Sequence, residues 1–179
     1  MDKPTKKTSE EVGLDVIRAM DCGFHGQDDR VVAIVGAAYL DSTLDSLIRA
    51  IFVDDQGEAD RLLRPEGALG ANGSRCQLAY CLGLITRDQR DDLKTIARIR
   101  NEFAHDFRRS SFNDDRVRDL CSKLKSPSEL AAMPGQLFSG ETAKQLKKYV
   151  EGITATPREK FRMSVIGLVG ALLRRIHYV

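Results

Sequence analysis

From residue 28 to residue 53, apolar side chains recur three or four positions apart without a break. They are Val31, Val32, Ile34, Val35, Ala38, Leu40, Leu44, Leu47, Ile48, Ile51 and Phe52. The Val/Ile cluster at 31–35 has the composition of a buried strand. The same spacing continues for another four turns without a turn cluster to punctuate it, so the segment is read as one long helix, with Asp28 and Asp29 able to cap its start. The rest of the chain follows the same period. Residues 9–22 carry Val12, Leu14, Val16, Ile17 and Met20 behind Ser9 as N-cap, with Gly23 as the stop. Further helices are expected at 74–84, ended by Gly83; at 86–105, capped by Thr86; at 114–124, closed by Ser126-Pro127; at 137–151; and at 157–177, opened by Thr156-Pro157. Pro65 and three glycines make 65–74 a loop. No alternating strand pattern, internal repeat or low-complexity tract interrupts this. The expected fold is all-α, a helical bundle of about six or seven helices with antiparallel neighbours.

A chain of 179 residues is one domain on the usual size prior. We read 1–179 as a single all-α domain, with 1–8 a flexible N-terminus, 125–136 a connection, and 137–179 a pair of basic C-terminal helices. No apolar run approaches the roughly 18–20 residues that cross a bilayer. The polar start Met1-Asp2-Lys3-Pro4 lacks the apolar core of a secretory signal, so a cytoplasmic location is the expectation. Cys22, Cys76, Cys81 and Cys121 form no C-x-x-C pair, and His25, His105 and His177 are scattered singly. No metal and no cofactor is expected, and the thiols are expected to be buried and reduced. The net charge of +2 is too small to announce nucleic acid. It is uneven, however: residues 140–179 carry eight Lys/Arg against three Glu, a net of +5, leaving −3 for residues 1–139. Such a segment can meet an acidic partner or phosphates, or simply form a solvated face.

The segment with the most chemistry is Arg98-Ile99-Arg100-Asn101-Glu102-Phe103-Ala104-His105-Asp106. On a helix, Asn101 and His105 lie one turn apart on a shared face, and Arg100 lies roughly 140° round from His105. Ile99 and Phe103 point into the core. Arginine can hold a phosphate oxygen with two hydrogen bonds, and a histidine titrating near neutrality can move a proton to or from a ribose oxygen. The asparagine amide can orient either group. Arg98, Arg108 and Arg109 extend the set as anion-binding candidates. The same residues also have a structural use. His105 near a helix C-terminus complements the dipole and can cap the last carbonyls, and Arg98 can pair with Asp91 or Asp92.

The glycine segment 67–73 lacks the spacing of a phosphate loop and has no strand before it, so a tight connection between helices is expected. Arg75 near a helix start is a weak anion candidate, and Tyr80 is expected in the core with its hydroxyl hydrogen-bonded. Residues 74–84 and 86–105 are joined by a short turn, as in a helix-turn-helix. The second helix opens with Asp88, Asp91 and Asp92, acids that would face DNA phosphates, so it is a poor recognition helix.

Two family resemblances attach to these residues. Arg100-Asn101-x-x-x-His105 resembles the R-[polar]-x(3)-H signature of the HEPN superfamily. Those are small all-α domains, often dimeric, many of them metal-independent ribonucleases of toxin and defence systems. This resemblance implies catalytic roles for Arg100, Asn101 and His105 on RNA. A second covers about residues 30–125: Leu40-Asp41-x-x-Leu44, Gly67-x-Leu69-Gly70, Leu78-Ala79-Tyr80-x-Leu82-Gly83-Leu84-Ile85, and Arg98-x-Arg100-Asn101-x-Phe103-Ala104-His105. This order is similar to the MtlR/MltR family, the mannitol operon repressor and its relatives. It implies an all-α transcriptional regulator without a recognisable DNA-binding motif, acting through protein partners. The apolar load of 28–53 and 157–177 adds the expectation of a homodimer.

Overall fold

The computed structural model describes residues 19–20, 22–105, 111–125, 148, 152 and 155–178, with the backbone alone at 177. Six helices with defined ends lie among them: α1 Asp29–Ile51, α2 Gln56–Leu63, α3 Asn72–Cys81, α4 Arg87–His105, α5 Asp115–Ser122 and α6 Pro157–Tyr178. The described residues contain no strand, and the fold is all-α.

The helix starts are set by side-chain caps that local sequence predicts. Asp28 accepts from the Val31 N–H at 2.9 Å and opens α1. Thr86 and Gln89 form a reciprocal capping box at the start of α4: Gln89 N–H donates to Thr86 Oγ1 at 3.2 Å, and Thr86 N–H donates to Gln89 Oε1 at 3.0 Å. Thr156 accepts from the Glu159 N–H at 3.2 Å and opens α6 behind Pro157. Gly83 closes the turn after α3 with φ 70°, a left-handed conformation that favours glycine.

Three expectations change. The helical stretch at 22–24 runs through Gly23, and the chain turns at Gly26, which has φ 71°. Residues 56–63 form α2, which the sequence reading passes over. Only two of its eight residues, Ala59 and Leu63, are buried, so it has almost no apolar period to detect; Asp55 starts it by accepting from the Glu58 N–H at 3.1 Å. By length and composition α1 is apolar enough to cross a membrane, contrary to expectation, because its few charges are widely spaced. In this fold it packs along α6 and α4 instead. The expected helix at 137–151 and the connection at 126–136 lie outside the described residues, except for helical backbone at Lys148.

The core sits where α1, α4 and α6 meet. Leu40, Leu44, Leu47 and Ile48 of α1 face Ile96, Ile99 and Phe103 of α4 and Phe161, Val165 and Leu168 of α6, each at most 2% exposed. Burying each such side chain contributes about 1.5–3 kcal/mol. Three rings link the far end: Phe112 lies 5.0 Å from Phe103 and 5.1 Å from Phe161, centroid to centroid. Gly36 lets α6 approach α1. A Cβ there would stand 3.1 Å from Phe161 Cε1 and 3.3 Å from Val165 Cγ2, tighter than ordinary van der Waals contact.

Polar ties lock the ends of these helices. Asp29 at the start of α1 accepts from Arg158 of α6 and from the Phe112 N–H, while Arg158 also donates to the Gln27 carbonyl at 2.7 Å. Buried Asp92 of α4 receives the Lys125 N–H on both oxygens, at 2.9 and 3.0 Å, and so holds the end of α5 against α4. Cys76 and Cys121 are buried as expected, but Cys22 and Cys81 are exposed, and all four are free thiols.

Candidate functional site

α4 carries two adjacent functional stripes. Leu93, Ala97, Arg100 and Ala104 recur at three- and four-residue intervals and turn toward α1. Lys94, Arg98, Asn101 and His105 recur in the same way and are all exposed. The helix periodicity therefore separates the sequence-predicted set. Asn101 and His105 share the outer stripe with Arg98, whereas Arg100 belongs to the stripe beside α1. Among the described residues no hydrogen bond joins Arg100, Asn101 and His105. Arg108 and Arg109 lie outside the described residues. Ile99 and Phe103 are fully buried, as the pattern requires. Near the end of α4, Arg30 of α1 donates to the Phe103 carbonyl. Arg98 does not pair with Asp91 or Asp92. Asp91 is held by Arg90 at 2.7 Å, and Asp92 is turned inward onto Lys125.

Arg100 stands at the edge of a half-open groove of about 270 Å³ between α1 and α4. Its walls and floor are mostly apolar, with Ile34, Ala38 and Leu40 on one side and Leu93, Ile96 and Ala97 on the other. The alanines leave the space that larger side chains would fill. Two polar residues join Arg100 at the rim, Asp41 of α1 and Asn72 of α3. Asn72 Nδ2 donates to Asp41 Oδ1 at 2.8 Å.

Behind this rim lies the polar network that positions it. Arg75 of α3 is buried and reaches Asp41 at 3.1 Å, Asp45 at 3.3 Å and the Gly70 carbonyl at 3.0 Å. It is a structural cation joining three parts of the chain, with both terminal guanidinium nitrogens used internally. This replaces its reading as an anion-binding candidate. The Gly70 carbonyl is presented by a tight double turn in which glycine is needed for space. A Cβ at Gly67 would meet the Leu62 carbonyl oxygen at 2.3 Å, and one at Gly70 the Pro65 carbonyl oxygen at 2.3 Å. Burial, and then the charge of Asp41, pushes the neighbouring Cys76 thiol up to about 11. Tyr80 is only half-buried, and its ring carries the Arg90 guanidinium 4.3 Å above the centroid.

Asp41 and Asn72 were not singled out by chemical reasoning on the sequence. Asp41 appears there only within a family pattern, and Asn72 within a loop. Their signal is tertiary, since the residues that meet at this rim come from α1, α3 and α4. The arrangement can hold an apolar group in the groove with an anionic group against Arg100.

Comparison with known proteins bears on the same region. The chain is 26% identical over 137 residues to the mannitol operon repressor of Escherichia coli K12, covering 73% of this chain and 70% of that protein. The same protein from E. coli O6:H1 matches to the same extent. Among solved structures, the fold is similar to the X-ray structure of the MtlR–HPr complex from E. coli, with a TM-score of 0.63 and 22% identity, over 89% of this chain and 97% of that one. It is also similar to the crystal structure of YggD, a possible transcriptional regulator from Shigella flexneri 2a, with a TM-score of 0.57 and 17% identity, over 95% and 99% of the two chains. The family model described as mannitol repressor matches residues 26–159, which hold α1 to α5, the groove and its rim, and on this ground the chain belongs to the MtlR mannitol repressor family.

Proposed function

We propose that this protein is a cytoplasmic transcriptional repressor that acts by contacting other proteins and has no DNA reader of its own. The observation that carries this reading is the shared family and fold with an E. coli relative whose structure was solved in complex with HPr. HPr is therefore the first partner to test. The geometry of α4 supports the same reading. In a helix-turn-helix the first turns of the second helix enter the major groove. Here that part of α4 is engaged inside the molecule: Asp88 pairs with Lys125, Asp92 is 1% exposed, and Leu93 and Ile96 are in the core.

The test sets two titrations side by side. Purified protein is titrated with HPr by calorimetry and with duplex DNA containing the operator of its own operon by gel shift. Saturable binding to HPr, with DNA binding that is weak, indifferent to sequence and lost with salt, is the expected result. Operator-specific binding by the protein alone would overturn the reading. Cleavage of single-stranded RNA in EDTA, lost in both His105→Ala and Arg100→Ala, would replace it with a ribonuclease.

A further inference from the structure

One face of the molecule combines two features that the fold leaves exposed. On α1, Val31, Ile34, Val35 and Tyr39 are 36–42% exposed, and Ala38 between them is exposed as well. Single exposed apolar residues are ordinary, but five on successive turns of one helix, bordering an apolar groove, form a patch. Across the groove on α4, Arg100 borders the rim and Lys94 stands on the other side of Ala97; both are exposed, and neither makes a hydrogen bond or ion pair with a described residue. The acids that flank this row are already engaged. Asp91 is held by Arg90, Glu102 by Arg116 at 3.0 Å, and Asp41 by Asn72 and Arg75. The helix dipole favours cations toward the C-terminal half of α4, but it does not require them to border an apolar strip.

Resting on the reading of this protein as one that works through protein contacts, we infer that the α1–α4 face docks an acidic amphipathic helix of a partner protein. Its apolar side chains lie on the α1 strip and in the groove, and its carboxylates meet Lys94 and Arg100. The groove, about 270 Å³, takes one or two aliphatic or aromatic side chains as anchors. Charge complementarity selects this occupant. A second copy that apposes this same face offers the same cations, and the described acids beside them, Asp91, Glu102 and Asp41, are already engaged. A nucleic acid would satisfy the cations but leave the apolar strip uncovered.

The probe is a fluorescently labelled helical peptide of about five turns, with Leu on one face and Glu on the others, beside a twin carrying Lys in place of Glu. Each is titrated with the full chain at low ionic strength and read by anisotropy. The Glu peptide is expected to bind saturably and the Lys peptide not to bind. Ile34→Gln combined with Val35→Gln weakens binding about tenfold or more at any salt concentration. Lys94→Gln combined with Arg100→Gln weakens it about tenfold at low salt and flattens its salt dependence. All four residues are exposed, and circular dichroism checks that the fold is kept; if either double variant unfolds, single Arg100→Gln, read by salt dependence, takes its place. Equal binding of the two peptides, or wild-type binding by the variants, overturns the inference. So does a concentration-dependent dimer broken by Ile34→Gln with Val35→Gln, which assigns the face to a second copy. A poly-uridylate oligonucleotide held by Lys94 and Arg100 while the Glu peptide stays free assigns it to RNA, with the same consequence. HPr titrated in parallel keeps the two readings apart. HPr bound with the peptide free overturns only the docking face. The peptide bound as expected with HPr unbound supports the face and removes HPr as the partner.

Discussion

Arg75 of α3 reaches Asp41 of α1 at 3.1 Å from a side chain that is 9% exposed, whereas the Asp41 side chain is 42% exposed. The pair is thus asymmetric: the cation is enclosed and the carboxylate keeps part of its hydration. Replacing Arg75 with Met removes the bonds to Asp41, Asp45 and the Gly70 carbonyl but leaves two carboxylates that water can still reach. We expect a loss of about 2 kcal/mol, less than the 3–5 kcal/mol typical of stranding a fully buried charge. Urea unfolding checks this. An unchanged midpoint would show that the network holds nothing in place.

The double turn before α3 makes a sharper prediction. A methyl group at Gly70 would stand 2.3 Å from the Pro65 carbonyl oxygen, and backbone cannot swing aside as a flexible side chain can. Gly70→Ala is expected to cost about 2 kcal/mol or more and to disturb the carbonyl that Arg75 uses. Gly73→Ala is the control, because a Cβ there meets nothing within 4 Å. It should be neutral or slightly stabilising, since Gly73 lies in the helix α3. Thermal melts of the two variants should therefore separate clearly.

The four thiols should divide into two classes. Cys22 and Cys81 are exposed and should react rapidly with a thiol reagent in the native protein, while Cys76 and Cys121 should react only on unfolding. Burial pushes Cys76 up to about 11 and Cys121 up to about 12, from 9.0 in the unfolded chain. The folded state therefore keeps these protons where the unfolded state has lost them. Stability is unaffected below about pH 9 and falls as pH rises from there toward 11 to 12. Replacing both buried thiols with Ala should remove this part of the alkaline loss. An alkaline limb of the same slope would show that other groups cause it.

Arg100 and His105 are both exposed, and neither is held by a hydrogen bond from a described residue. Arg100→Ala and His105→Ala should each change stability by no more than about 0.5 kcal/mol. Any loss of partner or RNA binding in these variants then reports on the site and not on folding. A destabilisation of about 2 kcal/mol would reveal a structural role instead.

Chemistry confined to a few neighbouring residues was legible in the sequence. Asp28, Thr86 and Thr156 cap backbone N–H groups three residues further on, and Gly83 takes the left-handed turn that ends its helix. Such contacts are complete before any other part of the chain arrives. The long apolar period of α1 likewise settled the all-α fold, because no other element satisfies that spacing. The stop at Gly26 instead of Gly23, the short helix α2, and the identity of the groove were not legible. A helix with only Ala59 and Leu63 to bury is stable only on the surface that its neighbours supply.

The candidate site divides in the same way. That Asn101 and His105 share a face while Arg100 lies beside another stripe follows from helix geometry, and so from sequence alone. That Arg100 borders a groove with Asp41 and Asn72, and that Arg75 is a buried tie and not an anion site, was decided by tertiary structure. Arg75 meets acids 30 and 34 positions away, and Asn72 meets one 31 positions away. Which polar groups become neighbours at that separation depends on how whole helices pack, because burial selects the pairing and local backbone preference does not extend beyond a turn or two.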